Sequence, residues 1–116
     1  MSTTPTPSEY IAEQVTAWPG VQQRPGRFGA VAFVVGHREF GHLHGDDAAH
    51  FGFPTEVWRE LRAQGRITPH PVFPDREGPA ARRIEGEQDV FDVIALLRLN
   101  YERVAPAQAP AAQPSP

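Results

Sequence analysis

The 116-residue chain contains no cysteine. That absence removes disulfides, thiolate metal sites and thiol nucleophiles together, and leaves His, Asp, Glu and Arg as the side chains able to do chemistry. An excess of positive charge is also missing: 11 Lys+Arg stand against 14 Asp+Glu, a formal net charge of −3. A nucleic-acid backbone needs a concentrated positive face, so no nucleic-acid partner is expected. The longest apolar run, residues 30–35, falls far short of the ~20 residues that span a bilayer, and residues 1–8 lack the basic and apolar regions of a signal peptide. No membrane association and a cytoplasmic location are the expectations. No segment repeats at a fixed period, which excludes solenoids and arrays.

What is present is ordinary for one small domain, with 40% hydrophobic and 22% charged residues. The Pro-rich ends, residues 1–7 and 105–116, cannot repay their ordering entropy by burial and read as flexible tails around a domain at residues 8–104. Ser8 is suited to cap a first helix, with Ile11, Val15 and Trp18 at helical spacing until Pro19-Gly20 stops it. Residues 21–25 and 30–44 read as a short and a long strand, Gly45-Asp46-Asp47 as a turn, and residues 48–53 as the returning partner of a hairpin. Thr55 can cap a second helix that carries Val57, Trp58 and Leu61 on one face and ends at Gly65. Three prolines make residues 67–75 a loop or an edge segment, and residues 80–85 read as one more strand. Val90, Ile94, Leu97 and Tyr101, with Phe91 and Val93 beside them, predict a final helix over residues 87–104. The expected fold class is α+β, a small antiparallel sheet with helices packed on it, in the order helix, strand, strand, strand, helix, strand, helix. Arg82-Arg83 reads as a solvated pair, and Phe53 and Trp58 as core.

Four of the five histidines lie between His37 and His50. In a strand the side chains of His42 and His44 leave one face, because the side-chain period is two. A turn centred on Asp47 puts His50 opposite His44 on that face, with Cβ atoms about 5 Å apart. Three converging imidazoles suit iron, zinc, copper or nickel, with Glu39 or Asp46 able to complete a site. They suit metal-free acid-base catalysis equally well, since imidazole titrates near neutrality. In regular strand geometry Glu39 faces away from His42; a shared site requires a bulge near Gly41. His70, between Pro69 and Pro71, sits on a stiff loop able to close over the hairpin.

The run Arg38-Glu39-Phe40-Gly41-His42-Leu43-His44, followed by His50 and by Arg66-Ile67-Thr68-Pro69-His70-Pro71, resembles the luciferase domain of fungal luciferases and of related short bacterial proteins. The resemblance extends over residues 33–101. It implies oxygenation of a hydroxypyrone of the hydroxyhispidin type by molecular oxygen, through an endoperoxide that loses carbon dioxide, with no organic cofactor. Arg38, Glu39, His42, His44, His50 and His70 are the catalytic positions it carries over: a histidine takes the enol proton, another steers the peroxide, and Arg38 or a further histidine stabilises the enolate. Gly78-Pro79-Ala80-Ala81 stands where that family has an aromatic residue. The element order is also similar to that of MmcQ/YjbR-type domains.

Two further functions fit the same residues. A metal-dependent oxygenase or hydrolase would ligate a transition metal through His42, His44 and His50, as in the His-x-His strand of a cupin, although a cupin barrel needs more strands than this chain supplies. A non-catalytic module would use the hairpin to bind a small molecule. All three expect a small-molecule ligand.

Overall fold

The computed structural model describes residues 4–105. Residues 1–3 and 106–116, which hold much of the two expected tails, lie outside the described residues. Helix α1 (Pro7–Thr16) starts two residues earlier than the Ser8 cap predicts. Thr6 is the N-cap, its hydroxyl accepting from Glu9 N while the Glu9 carboxylate accepts from Thr6 N, a reciprocal capping box. Ser8 N instead donates to Asp46 Oδ1 at 2.9 Å, so Asp46 serves the helix N-terminus. Strands β1 (Val21–Pro25), β2 (Val31–Val35), β3 (Arg38–His44) and β4 (Ala48–Gly52) follow, then helix α2 (Thr55–Ala63), strands β5 (Thr68–Pro69) and β6 (Pro79–Arg83), and helix α3 (Glu87–Val104).

The α+β class holds, and the sheet is larger than expected: six antiparallel strands in the order β1-β2-β3-β4-β6-β5. The single long strand predicted over residues 30–44 is two strands, because the chain turns at Gly36-His37, where Gly36 takes φ 62°. The proline-rich segment supplies the two-residue edge strand β5, whose Thr68 and Pro69 pair with Ala81 and Ala80.

Helices α1 and α3 cover one face of the sheet. Phe33 and Val35 from β2, Phe40 and Leu43 from β3, and Ala49 and Phe51 from β4 point to that side and join Ile11, Val15, Leu96, Leu97 and Tyr101 in one core. Phe53 and Trp58 belong to it as expected, with Trp58 Nε1 donating to Pro79 O. Arg82 departs from its solvated reading. It lies on the helical side of β6 and bridges Asp89 at 2.6 Å and Asp92 at 2.7 Å while donating to Arg66 O, which ties β6 to α3. Among the described residues no helix is long and apolar enough to cross a membrane.

One irregularity shapes everything on the opposite face. The β2–β3 register runs Ala32↔His42, Phe33↔Gly41, then Val34↔Glu39, leaving Phe40 as an extra residue in β3. Phe40 and Leu43, three apart, therefore both enter the core, and Glu39 and His42, also three apart, share the other face. Two contacts from α3 hold the bulge. A Cβ on Gly41 would run into the Cδ2 of Leu97, so only glycine lets the helix approach this closely. The buried Asn100 donates through Nδ2 to Phe40 O at 2.9 Å and to Gly52 O at 3.0 Å, while its Oδ1 accepts from Arg103.

Gly41→Ala is expected to cost about 1–3 kcal/mol through overpacking against Leu97. Asn100→Ala is expected to cost about 1–3 kcal/mol because it strands a buried carbonyl. Urea unfolding with an unchanged m-value measures both; losses below 0.5 kcal/mol in the two variants would show that α3 does not hold the bulge.

Candidate functional site

The sheet face left open by the helices carries His42 and His44 from β3, His50 from β4 and small side chains between them. Ala32 sits opposite His42, and Ala81 opposite His50, so the floor beside the imidazoles is low. His50 pairs with His42, two residues along the strand from the predicted partner His44, which faces Ala48. A shift of two residues keeps the same face, and the three imidazoles converge as expected. Ring centroids are 4.9 Å apart for His42 and His44, 5.3 Å for His42 and His50, and 4.3 Å for His44 and His50. His70 comes from the loop after β5 and lies 4.2 Å from His50, so the loop closes over the hairpin.

The bulge brings Glu39 into this group: its Oε2 accepts from His42 Nδ1 at 2.8 Å. A neutral His42 held this way carries its proton on Nδ1 and turns an unprotonated Nε2 outward. The other three rings are electrically shaped by crowding. Burial pulls His50 down to about 4, with the charges of His70, His44 and His42 adding to the effect. Burial likewise lowers His44, with His42 as the second cause, and lowers His70, with His42 and His44 behind it. His50 is therefore neutral at pH 7. Its Nδ1 is buried and has no hydrogen-bond partner among the described residues, a group that a bound ligand, a water or a metal ion would satisfy.

Around the histidines is a cleft of about 600 Å³, the size of a small-molecule site. Glu39, His42, His44, His50 and His70 line it. Arg38 does not. Its partner Val35 points into the core, so Arg38 leaves β3 on the helical side, where its charge acts on Arg103. Arg27 is the arginine that lines the cleft, next to Phe28, and Val72 and Phe73 face them from the His70 loop. Sequence reading missed these four, because residues 26–29 looked like a plain turn and Val72 and Phe73 fall in the proline-rich loop. The sequence signal at the first was an aromatic residue inside a glycine-bounded turn; in the structure Phe28 holds φ 56° and is 95% exposed, a costly conformation and placement for an aromatic residue. Asp46, the alternative carboxylate, is committed to α1, and His37 is an exposed turn residue; neither lines the cleft.

A family model for the luciferase domain matches residues 37–100, more than half of the chain. The chain belongs to the luciferase domain family. No curated protein and no solved structure matches it. The matched segment of this luciferase domain begins at the β2–β3 turn and ends on Asn100, so it holds the Glu39–His42 pair, all four clustered histidines and the residue that clamps the bulge. Helix α1, β1, β2 and the Arg27-Phe28 rim lie outside it.

The depressed His50 makes stability fall on the acid side. An unfolded chain binds a proton at this histidine near 6.5, whereas the folded protein resists until about 4. Folding free energy is therefore undiminished above 6.5 and is lost progressively as the pH drops between those values. Thermal melts across that interval should show Tm falling with pH and a flatter profile for His50→Gln; an unchanged profile in the variant would assign the acid sensitivity elsewhere.

Proposed function

We propose that the luciferase domain of this chain is an oxygenase that removes a proton from an enolic small molecule of the hydroxypyrone type and lets the resulting anion react with molecular oxygen. The observation that carries this reading is the Glu39–His42 pair at the wall of the cleft. A carboxylate on Nδ1 orients the ring and stabilises the imidazolium that forms when Nε2 accepts a proton, which is what a general base requires. Burial holds His50 neutral at pH 7, so no imidazolium from β4 competes with the one that forms on His42. Arg27 takes the electrostatic part that resemblance assigned to Arg38, as the cationic side chain beside the enolate.

The proton of the enol hydroxyl goes to His42, and the enolate supplies the electrons. Its carbon forms a bond to oxygen, O₂ being reduced to a peroxide; closure of the peroxide on the pyrone carbonyl gives the endoperoxide, and cleavage of its O–O bond with loss of CO₂ completes the sequence. Oxygen is the only co-reactant this requires. A cytoplasmic setting, where cysteine is not needed for stability, accords with it.

A second reading has its own observation. Donor atoms of His42, His44 and His50 lie within 4.8 Å of one another, and the orphaned His50 Nδ1 is a nitrogen in search of a partner. Three imidazoles with Glu39 behind one of them fit a transition-metal ion, which His42, His44 and His50 would hold. Such an ion would supply Lewis acidity. It would also occupy the Nε2 lone pair of His42, so the two readings exclude each other.

Oxygen uptake with a hydroxypyrone is the first test. His42→Ala is expected to lower the rate by about 10²–10⁴ and Glu39→Gln by about tenfold or more, whereas Arg38→Ala changes it little. No uptake by the wild-type protein, or full activity of His42→Ala, would overturn the oxygenase reading. Elemental analysis of untagged protein tests the second: one equivalent of metal, lost in His44→Ala or His50→Ala, would favour the metal site and remove His42 as base.

A further inference from the structure

We propose that His70 is the fixed hydrogen-bond donor of the cleft, offering its Nε2–H to the ligand oxygen that gains negative charge when the base takes its proton. The inference rests on the cleft being a substrate site and adds to it the tautomer and the task of one ring.

The backbone of the loop dictates the tautomer. Val72 N–H donates to His70 Nδ1 at 3.0 Å. A backbone amide can only donate, so Nδ1 must present its lone pair, and in a neutral imidazole the proton then resides on Nε2. Pro71 has no N–H, which makes Val72 the first amide after His70 able to reach back. The loop that presents it is stiff: Pro69 and Pro71 flank the ring, and Phe73 N donates to His70 O at 3.0 Å to close a turn. The ring packs against His50 at 4.2 Å and Phe73 at 5.4 Å between centroids. Across the ring from Val72, no group among the described residues accepts from Nε2, and His70 lines the cleft.

His42 is wired the other way round. Its Nδ1–H donates to Glu39 Oε2, leaving Nε2 as an acceptor. The cleft thus sets an accepting nitrogen on the sheet and a donating nitrogen on the loop, the complement of a ligand that gives up a hydroxyl proton and gathers charge on an oxygen. The Val72–His70 hydrogen bond opposes metal ligation by His70: coordination through Nε2 requires that nitrogen to lose its proton, and Nδ1 cannot take the proton up without breaking with Val72.

Side-chain ¹⁵N–¹H correlation spectra of the full chain at neutral pH read the tautomer directly. The expected His70 pattern has Nε2 protonated and Nδ1 unprotonated; an Nδ1-protonated or doubly protonated ring would overturn the assignment. Binding of a hydroxypyrone to variants tests the task. His70→Ala is expected to weaken it about ten- to a hundredfold, the effect of a lost hydrogen bond to a charged oxygen. His70→Asn, which reaches only the Nδ1 position, should behave like alanine, and His70→Gln, whose amide N–H reaches the Nε2 position, should recover most of the affinity. Glutamine binding as poorly as alanine would refute the donor role. Wild-type protein that does not bind the pyrone would sink the proposed substrate, while the spectrum would still decide the tautomer.

Discussion

The close seating of helix α3 on the bulge of β3 is the constraint on which the rest of this structure depends. A regular strand would send Glu39 and His42 to opposite faces, and with them the carboxylate and the imidazole it orients. The extra residue Phe40 resets the parity, and the reset is secured from the helical side by Gly41 against Leu97 and by Asn100 on the carbonyls of Phe40 and Gly52. Core packing and site chemistry therefore meet at Glu39, Phe40 and Gly41. Phe40 is driven into the core by burial, and that burial delivers Glu39 to the site.

The open face owes its properties to what packs there. Alanines at positions 32 and 81 leave room for four imidazoles, and burial first, then the charges of neighbouring rings, favours the neutral forms of His44, His50 and His70. Three of the rings are distinguished by the group on Nδ1: a carboxylate for His42, a backbone amide for His70 and, among the described residues, no partner for His50. Chemically identical side chains acquire an acceptor, a donor and an unfilled position from second partners alone. The rim adds apolar surface at Phe28, Val72 and Phe73, two of them on the loop that carries His70, so that loop also helps wall the cleft.

Much of this was legible in the residues themselves. The apolar stripe from Val90 to Tyr101 predicted helix α3 to its ends, period two put His42, His44 and His50 on one face, and a glycine at position 41 marked the place where a bulge had to lie if Glu39 was to join them. Local chemistry suffices for such features, because helix periodicity, strand alternation and the freedom of glycine act over a few neighbouring residues. The motif around residues 38–44 with His50 and His70 carried the family as well, which the match over residues 37–100 bears out.

Other features depended on contacts between residues far apart in the chain. Arg38 belongs to the same motif as Glu39, yet the turn at Gly36-His37 and the bulge together leave it on the helical side, and an arginine from the β1–β2 connection lines the cleft instead. Asp46 was recruited by the amide of Ser8, 38 residues away, and Arg82 by two aspartates of α3. The sequence by itself determined the element types, the shared face of the three hairpin histidines and the family. Only the tertiary structure decided which carboxylate reaches His42 and which arginine reaches the cleft, because those depend on register, on a helix pressed against one glycine, and on contacts that exist once distant segments are in place.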